Sequence, residues 1–129
     1  MSLLDTLNWR YAVRQFSNQK LTKQQVQELA EATRLSASSY GLQPYRLIIL
    51  SSKELRQRLL PYSYGQAKVA QCSHLFLFAT LSQIDDELVD SYISKNAQLS
   101  GKRVKELAGY GDHIKSALAA KSEAQKEIW

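Results

Sequence analysis

Two short apolar runs limit what this chain can fold into. Leu47-Ile-Ile-Leu50 and His74-Leu-Phe-Leu-Phe-Ala-Thr80 have strand length, and they carry apolar side chains at successive positions rather than alternate ones. A strand that is apolar on both faces belongs inside a sheet covered on both sides. Helical patterns surround both runs, so more helix than strand is expected, with both strands in one sheet. Two strands alone make a marginal sheet with open edges. The remaining strands are therefore expected beyond residue 129 or in another chain. The final Ile128-Trp129, two large apolar residues with no cap or polar tail, points the same way and suggests the front part of a longer protein.

Local signals place the helices. Ser2 with Asp5, and Thr22 with Gln25, have the spacing of reciprocal N-terminal caps, and Leu21 can staple to Val26 across the second. Leu3, Leu4 and Leu7 mark the first helix; Val26, Leu29, Ala30 and Thr33 mark one apolar face of a helix that runs to about Leu35. Ser36–Gly41 ends it. Ser51 with Glu54 opens a short helix ending near Pro61, Tyr62–Gly65 forms a turn, and Gln66–Cys72 is a brief helix. Ser82 and Asp85 open a helix carrying Leu88, Val89, Tyr92 and Ile93 that closes before Gly101. The next helical run begins near Lys102, breaks around Gly109-Tyr-Gly111, and resumes from Asp112 to the end.

At 129 residues the chain suits one domain, 1–129, with a modest core. No apolar stretch is long enough to span a bilayer and no secretory leader opens the chain, so a cytoplasmic protein is expected. Cys72 is the single cysteine, which excludes an internal disulfide; it reads as a small buried hydrophobe. A net charge of +5 allows an anionic partner. The basic residues are scattered and lack the interleaved aromatics of a nucleic-acid binder, so a phosphate-bearing cofactor explains the charge better. Gly109-Tyr-Gly111 follows no strand and lacks a third glycine, which argues against a dinucleotide loop. His74 and His113 have no metal-ligand spacing, and Asp85, Asp86, Glu87 and Asp90 fit the electropositive start of a helix.

Two further stretches carry chemistry. In Arg10-Tyr-Ala-Val-Arg-Gln-Phe16 two guanidinium forks lie four residues apart, well suited to phosphate oxygens and carbonyls. Ser36-Ala-Ser-Ser-Tyr-Gly-Leu-Gln-Pro-Tyr45 leads directly into the first strand. The first stretch resembles the Arg-x-Ser-x-Arg/Lys-x-Phe segment of the flavin-dependent nitroreductase family. The second is similar to that family's Pro-Ser-x-x-Asn-x-Gln-Pro-Trp segment, and Gly65-Gln-Ala-Lys-Val69 with the strand after it to its Asn-Gln-x-x-Val segment. The three blocks stand in the family's order, from about Leu3 to Thr80.

The resemblance implies an α+β fold with helices around a central, mainly antiparallel sheet, of which this chain supplies two strands. It also implies a homodimer with flavin mononucleotide (FMN) at the interface, NAD(P)H as co-substrate, and nitroaromatics, quinones or similar compounds as acceptors. Carried over residue by residue, Arg10 would pair with the FMN phosphate, Tyr11 and Ala12 would contribute backbone contacts, and Arg14 would reach the pyrimidine end of the ring. Ser38 and Ser39 would line the ring edge, while Gln66 and Lys68 would bond the pyrimidine carbonyls. No catalytic side chain and no metal is implied. Ala12 replaces the usual hydroxyl, and Gly41 and Gly65 stand where asparagines are common. The family's remaining phosphate and flavin-N5 contacts come from a later segment, so a chain ending at residue 129 is expected to be found without bound flavin or with flavin weakly held. The competing expectation is a flavin-free binding or assembly module of the same fold; a nucleic-acid-binding domain is more distant.

Overall fold

The computed structural model describes residues 2–128. Among them it contains seven α-helices and two strands: α1 (Leu3–Trp9), α2 (Lys23–Leu35), β1 (Tyr45–Leu50), α3 (Lys53–Arg58), α4 (Lys68–Gln71), β2 (Leu75–Thr80), α5 (Asp86–Ser100), α6 (Val104–Ala119) and α7 (Glu123–Ile128). Short 3-10 turns occupy Ser39–Gly41 and Leu60–Ser63. The class is α+β. The strands pair with each other in one antiparallel sheet, closed at one end by the Leu81 amide donating to the Pro44 carbonyl at 2.9 Å. No strand residue reaches full burial: Ile48 and Phe78 stay exposed, so the two-sided cover expected from composition is not supplied within the described residues.

The chain divides into two compact units, Met1–Glu31 with Leu47–Leu77, and Ala32–Arg46 with Phe78–Trp129. In the first unit, α1 starts on the expected reciprocal cap: the Ser2 hydroxyl accepts from the Asp5 amide at 3.1 Å and the Asp5 carboxylate from the Ser2 amide at 2.8 Å. Hydrogen bonding from the Ser2 amide, and then from its side chain, holds the Asp5 carboxyl below its ordinary value. Thr22 and Gln25 do the same at the start of α2, where the Leu21 amide also donates to Ser73 Oγ at 2.8 Å. Ser73 Oγ in turn lies 2.9 Å from His74 Nδ1, so His74 is a satisfied histidine at the strand entrance. Cys72 is buried and its thiol faces the Val69 carbonyl. The cap of α3 is Ser52, one residue after the expected Ser51, because the Ser52 hydroxyl is the one that accepts from the Leu55 amide. Arg56 is the only charged residue buried among those described, and no large aliphatic side chain of this unit is buried with it.

The second unit has the aliphatic core. Val89 and Ile93 on α5 pack with Ile114 and Leu118 on α6 and with Leu42 from the turn before β1. Side chains of this size contribute roughly 1.5–3 kcal/mol each when fully buried. Asp85 caps α5 through the Leu88 amide, and Gly101, in a left-handed conformation, ends it as expected. The amides of Gly101 and Lys102 both close on the Ala97 carbonyl.

The expected break at Gly109–Gly111 is absent, and α6 runs unbroken from Val104 to Ala119. Gly111 instead faces α5 at close range: a methyl group there would lie 3.2 Å from Ile93 Cγ1. The missing side chain makes room for Ile93, and the energy of the interhelical contact outweighs the poor helix propensity of glycine. The single run expected from Asp112 onward divides in two, because the chain leaves helix at Ala120 and restarts at α7, where Ser122 and Gln125 cap each other. Trp129 and the side chain of Ile128 lie outside the described residues.

The two glycines of α6 should therefore respond oppositely. Nothing lies within 4 Å of a methyl group built at Gly109, so Gly109→Ala is expected to stabilise the chain by about 0.5–1 kcal/mol. Gly111→Val is expected to destabilise it by about 1–3 kcal/mol through overpacking against Ile93. Urea unfolding midpoints measure both; equal shifts would remove the packing account of Gly111.

Candidate functional site

The eight residues singled out from the sequence fall into both units. In the first, α1 ends when the Arg10 amide closes on the Thr6 carbonyl, and residues 10–22 then form no regular element. Arg10, Tyr11, Ala12 and Arg14 lie on this segment with exposed side chains, and neither arginine has an ion-pair or side-chain hydrogen-bond partner among the described residues. Gln66 and Lys68 stand at the start of α4, also exposed. The turn before them is shaped by two successive left-handed residues, Tyr64 (φ 53°) and Gly65 (φ 65°), with the Gly65 amide bonded to the Leu60 carbonyl. The unit thus presents three exposed cations and one amide, with no carboxylate in the set.

In the second unit, Ser38 and Ser39 begin a tight turn. Tyr40, Gly41 and Gln43 all have positive φ, at 51°, 76° and 44°. For tyrosine and glutamine this conformation costs roughly 1–2 kcal/mol each, so surrounding contacts must hold it. The Ser38 hydroxyl accepts from the Gln43 amide at 3.1 Å, and the Gln43 side chain donates to the Arg34 carbonyl at 2.8 Å, closing the end of α2. Leu42 anchors the turn in the α5–α6 core. The Tyr40 ring meets His113 and Tyr110 edge-on, and the Tyr110 hydroxyl donates to the Tyr40 carbonyl at 3.4 Å. Burial pushes the Tyr110 phenol above its ordinary value.

Ser38 and Ser39 line an open cavity of about 690 Å³ with Leu42, Tyr45, Ile84 and Lys126. The Tyr45 ring meets Phe78 edge-on at 5.3 Å across the two strands. The roles of Gln43 as a helix cap and of Leu42 as an anchor are missed by reading the sequence alone. The only hint in the sequence is Pro44, which demands an extended entry to the strand.

A sequence model of the Nitroreductase family matches residues 7–126. The chain belongs to that family. It is 31% identical over 88 residues to a Staphylococcus saprophyticus protein named "Putative NAD(P)H nitroreductase", a match covering 67% of this chain and 40% of the relative. It is 30% identical over 96 residues to a Bacillus subtilis protein of the same name, YfkO, covering 73% of this chain and 43% of the relative. The matches thus span less than half the length of these curated relatives. Among solved structures, the Bacillus subtilis protein described as "putative nitroreductase ydfN" superposes with a TM-score of 0.78 at 19% identity, covering 97% of this chain and 60% of that one. An Exiguobacterium sibiricum protein described as a "putative nitroreductase in complex with FMN" gives 0.75 at 18% identity, over 99% and 61%. Both share the fold.

Gly41 provides a test of the turn. A methyl group there would sit 2.9 Å from the Tyr92 hydroxyl, on a backbone at φ 76°. Gly41→Ala is expected to destabilise the chain by about 1–3 kcal/mol, and adding Tyr92→Phe should recover part of the loss. Thermal or urea unfolding reads this directly; an unchanged midpoint in Gly41→Ala would mean that the turn is not fixed by this contact.

Proposed function

We propose that this chain acts as an FMN-dependent NAD(P)H oxidoreductase that reduces nitroaromatics, quinones or similar acceptors. The observation that carries the reading is that the family match, residues 7–126, takes in all eight candidate residues. The donor set fits the cofactor in chemistry: Arg10, Arg14 and Lys68 are exposed cations, Gln66 is an exposed amide, and FMN offers a phosphate dianion and ring carbonyls. When bound, FMN supplies the transfer of hydride or electrons between the nicotinamide nucleotide and the acceptor.

The chain's own residues bind and bias. Arg10 holds the phosphate, with backbone contacts from Tyr11 and Ala12. Arg14, Gln66 and Lys68 bond the pyrimidine carbonyls, and positive charge there favours the reduced, more anionic ring. Ser38 and Ser39 line the ring edge. Ser38 already accepts from the Gln43 amide, so its own proton remains available to an acceptor. No side-chain acid or base is required.

The assembly that fits this reading is a homodimer with flavin at its interface. Leu3, Leu4, Leu7, Trp9 and Tyr11 leave the apolar face of α1 and the residues after it exposed, a surface that a two-fold copy would cover. No helix among the described residues is long and apolar enough to cross a membrane, and the cytoplasm, where NAD(P)H is abundant, is the compartment that suits the reading.

Titration with FMN, followed by flavin fluorescence, tests the cofactor assignment. Arg10→Ala is expected to weaken binding by about one to two orders of magnitude, the effect of losing one charge-assisted contact. Arg14→Ala is expected to lower the flavin reduction potential more than the affinity. Absence of FMN binding by the parent chain would favour the flavin-free assembly module instead. A monomer by light scattering at micromolar concentration would remove the dimer from the proposal.

A further inference from the structure

The first unit buries a guanidinium without neutralising it. Arg56, on α3, is 1% exposed. Its Nη1 donates to the carbonyls of Ser51 and Leu50, while Nε has no hydrogen-bond partner among the described residues. No carboxylate among the described residues forms an ion pair with it. Glu54, two residues earlier, feels the charges of Lys53 and Arg56, but its carboxylate is held below its ordinary value chiefly by the Ser52 hydroxyl, which donates to it at 2.7 Å. A buried cation whose only partners are neutral carbonyls is costly. Arginine also cannot escape the cost by losing its proton.

Arg56 lines a cavity of about 550 Å³ formed by residues 15–20, α3 and α4. Lys20 and Lys53 line it as well, together with the amide side chains of Gln15, Asn18, Gln57 and Gln71, and no carboxylate among the described residues does. Three cations and four amides around one concavity form a donor-rich, anion-seeking site. The unpaired face of a planar guanidinium suits an oxyanion. A carboxylate would balance only one of the three charges, whereas a phosphate balances about two and offers enough oxygens for both lysines.

We propose that this cavity binds the phosphate group of a small phosphorylated molecule, with Arg56 as its buried cation and Lys20 and Lys53 as its outer ones. The cavity lining includes none of the residues assigned to FMN, and the proposal does not rest on that assignment. Its occupant neutralises the buried guanidinium and braces α3 against the segment that follows Arg14.

The test follows the Arg56 Nε–H resonance in proton–nitrogen spectra of the full chain while inorganic phosphate replaces chloride at constant ionic strength. The expected result is a saturable shift of that resonance. In Lys20→Gln/Lys53→Gln, whose substitutions are at exposed positions, the apparent affinity should fall about tenfold or more, and in Arg10→Ala it should be unchanged. The proposal is overturned if phosphate produces no saturable shift, if the double variant binds as the parent does, if acetate binds with equal affinity, or if Arg10→Ala abolishes the effect.

Discussion

The contact of Ile93 with Gly111 is the interaction on which the second unit depends. It brings α5 and α6 close enough for Val89, Ile93, Ile114 and Leu118 to form one aliphatic core. Leu42 enters that core from the turn before β1, and the rings of Tyr40 and Tyr92 pack at its margin. The turn can then hold Tyr40 and Gln43 at positive φ, which isolated peptides of these residues would rarely adopt. A helix-packing contact thereby fixes the backbone that carries Ser38 and Ser39. The path runs from one absent side chain to the shape of a candidate ligand pocket.

The first unit is built differently. It has no buried aliphatic cluster; order comes from reciprocal caps at α1 and α2, the Leu21–Ser73 bond, and Arg56 tied to the end of β1. Such bonds contribute about 1 kcal/mol each, less than a packed core side chain. The arginine segment after α1 is accordingly irregular and exposed, and so are Gln66 and Lys68. Exposure of this kind suits residues whose partners are a ligand or another chain rather than their own fold.

Features decided by neighbours in sequence were legible. The caps at Ser2, Thr22 and Asp85, the glycine that ends α5 and both strands can be read from spacing and residue type, because each is governed by contacts within a few positions; the shared sheet was read from the apolarity common to the two strands. Features decided by distant neighbours were not. Gly111 reads as a helix breaker until Ile93 is seen against it. Glu54 three residues on favours Ser51 on paper, and only backbone geometry chooses Ser52. Arg56 reads as a solvated helix residue, since nothing local reveals its burial, and the cavity beside it draws on three separated segments. The family was legible in its motif blocks; the left-handed turn that presents Ser38 and the cap made by Gln43 were not.

The FMN proposal is tested most directly by a proton–nitrogen chemical-shift map of the chain titrated with FMN. Signals from Arg10, Arg14, Gln66 and Lys68 are expected to move together with those of Ser38 and Ser39, along one binding curve. Shifts confined to the Lys20–Lys53–Arg56 cavity, or to only one of the two groups of candidate residues, would contradict it.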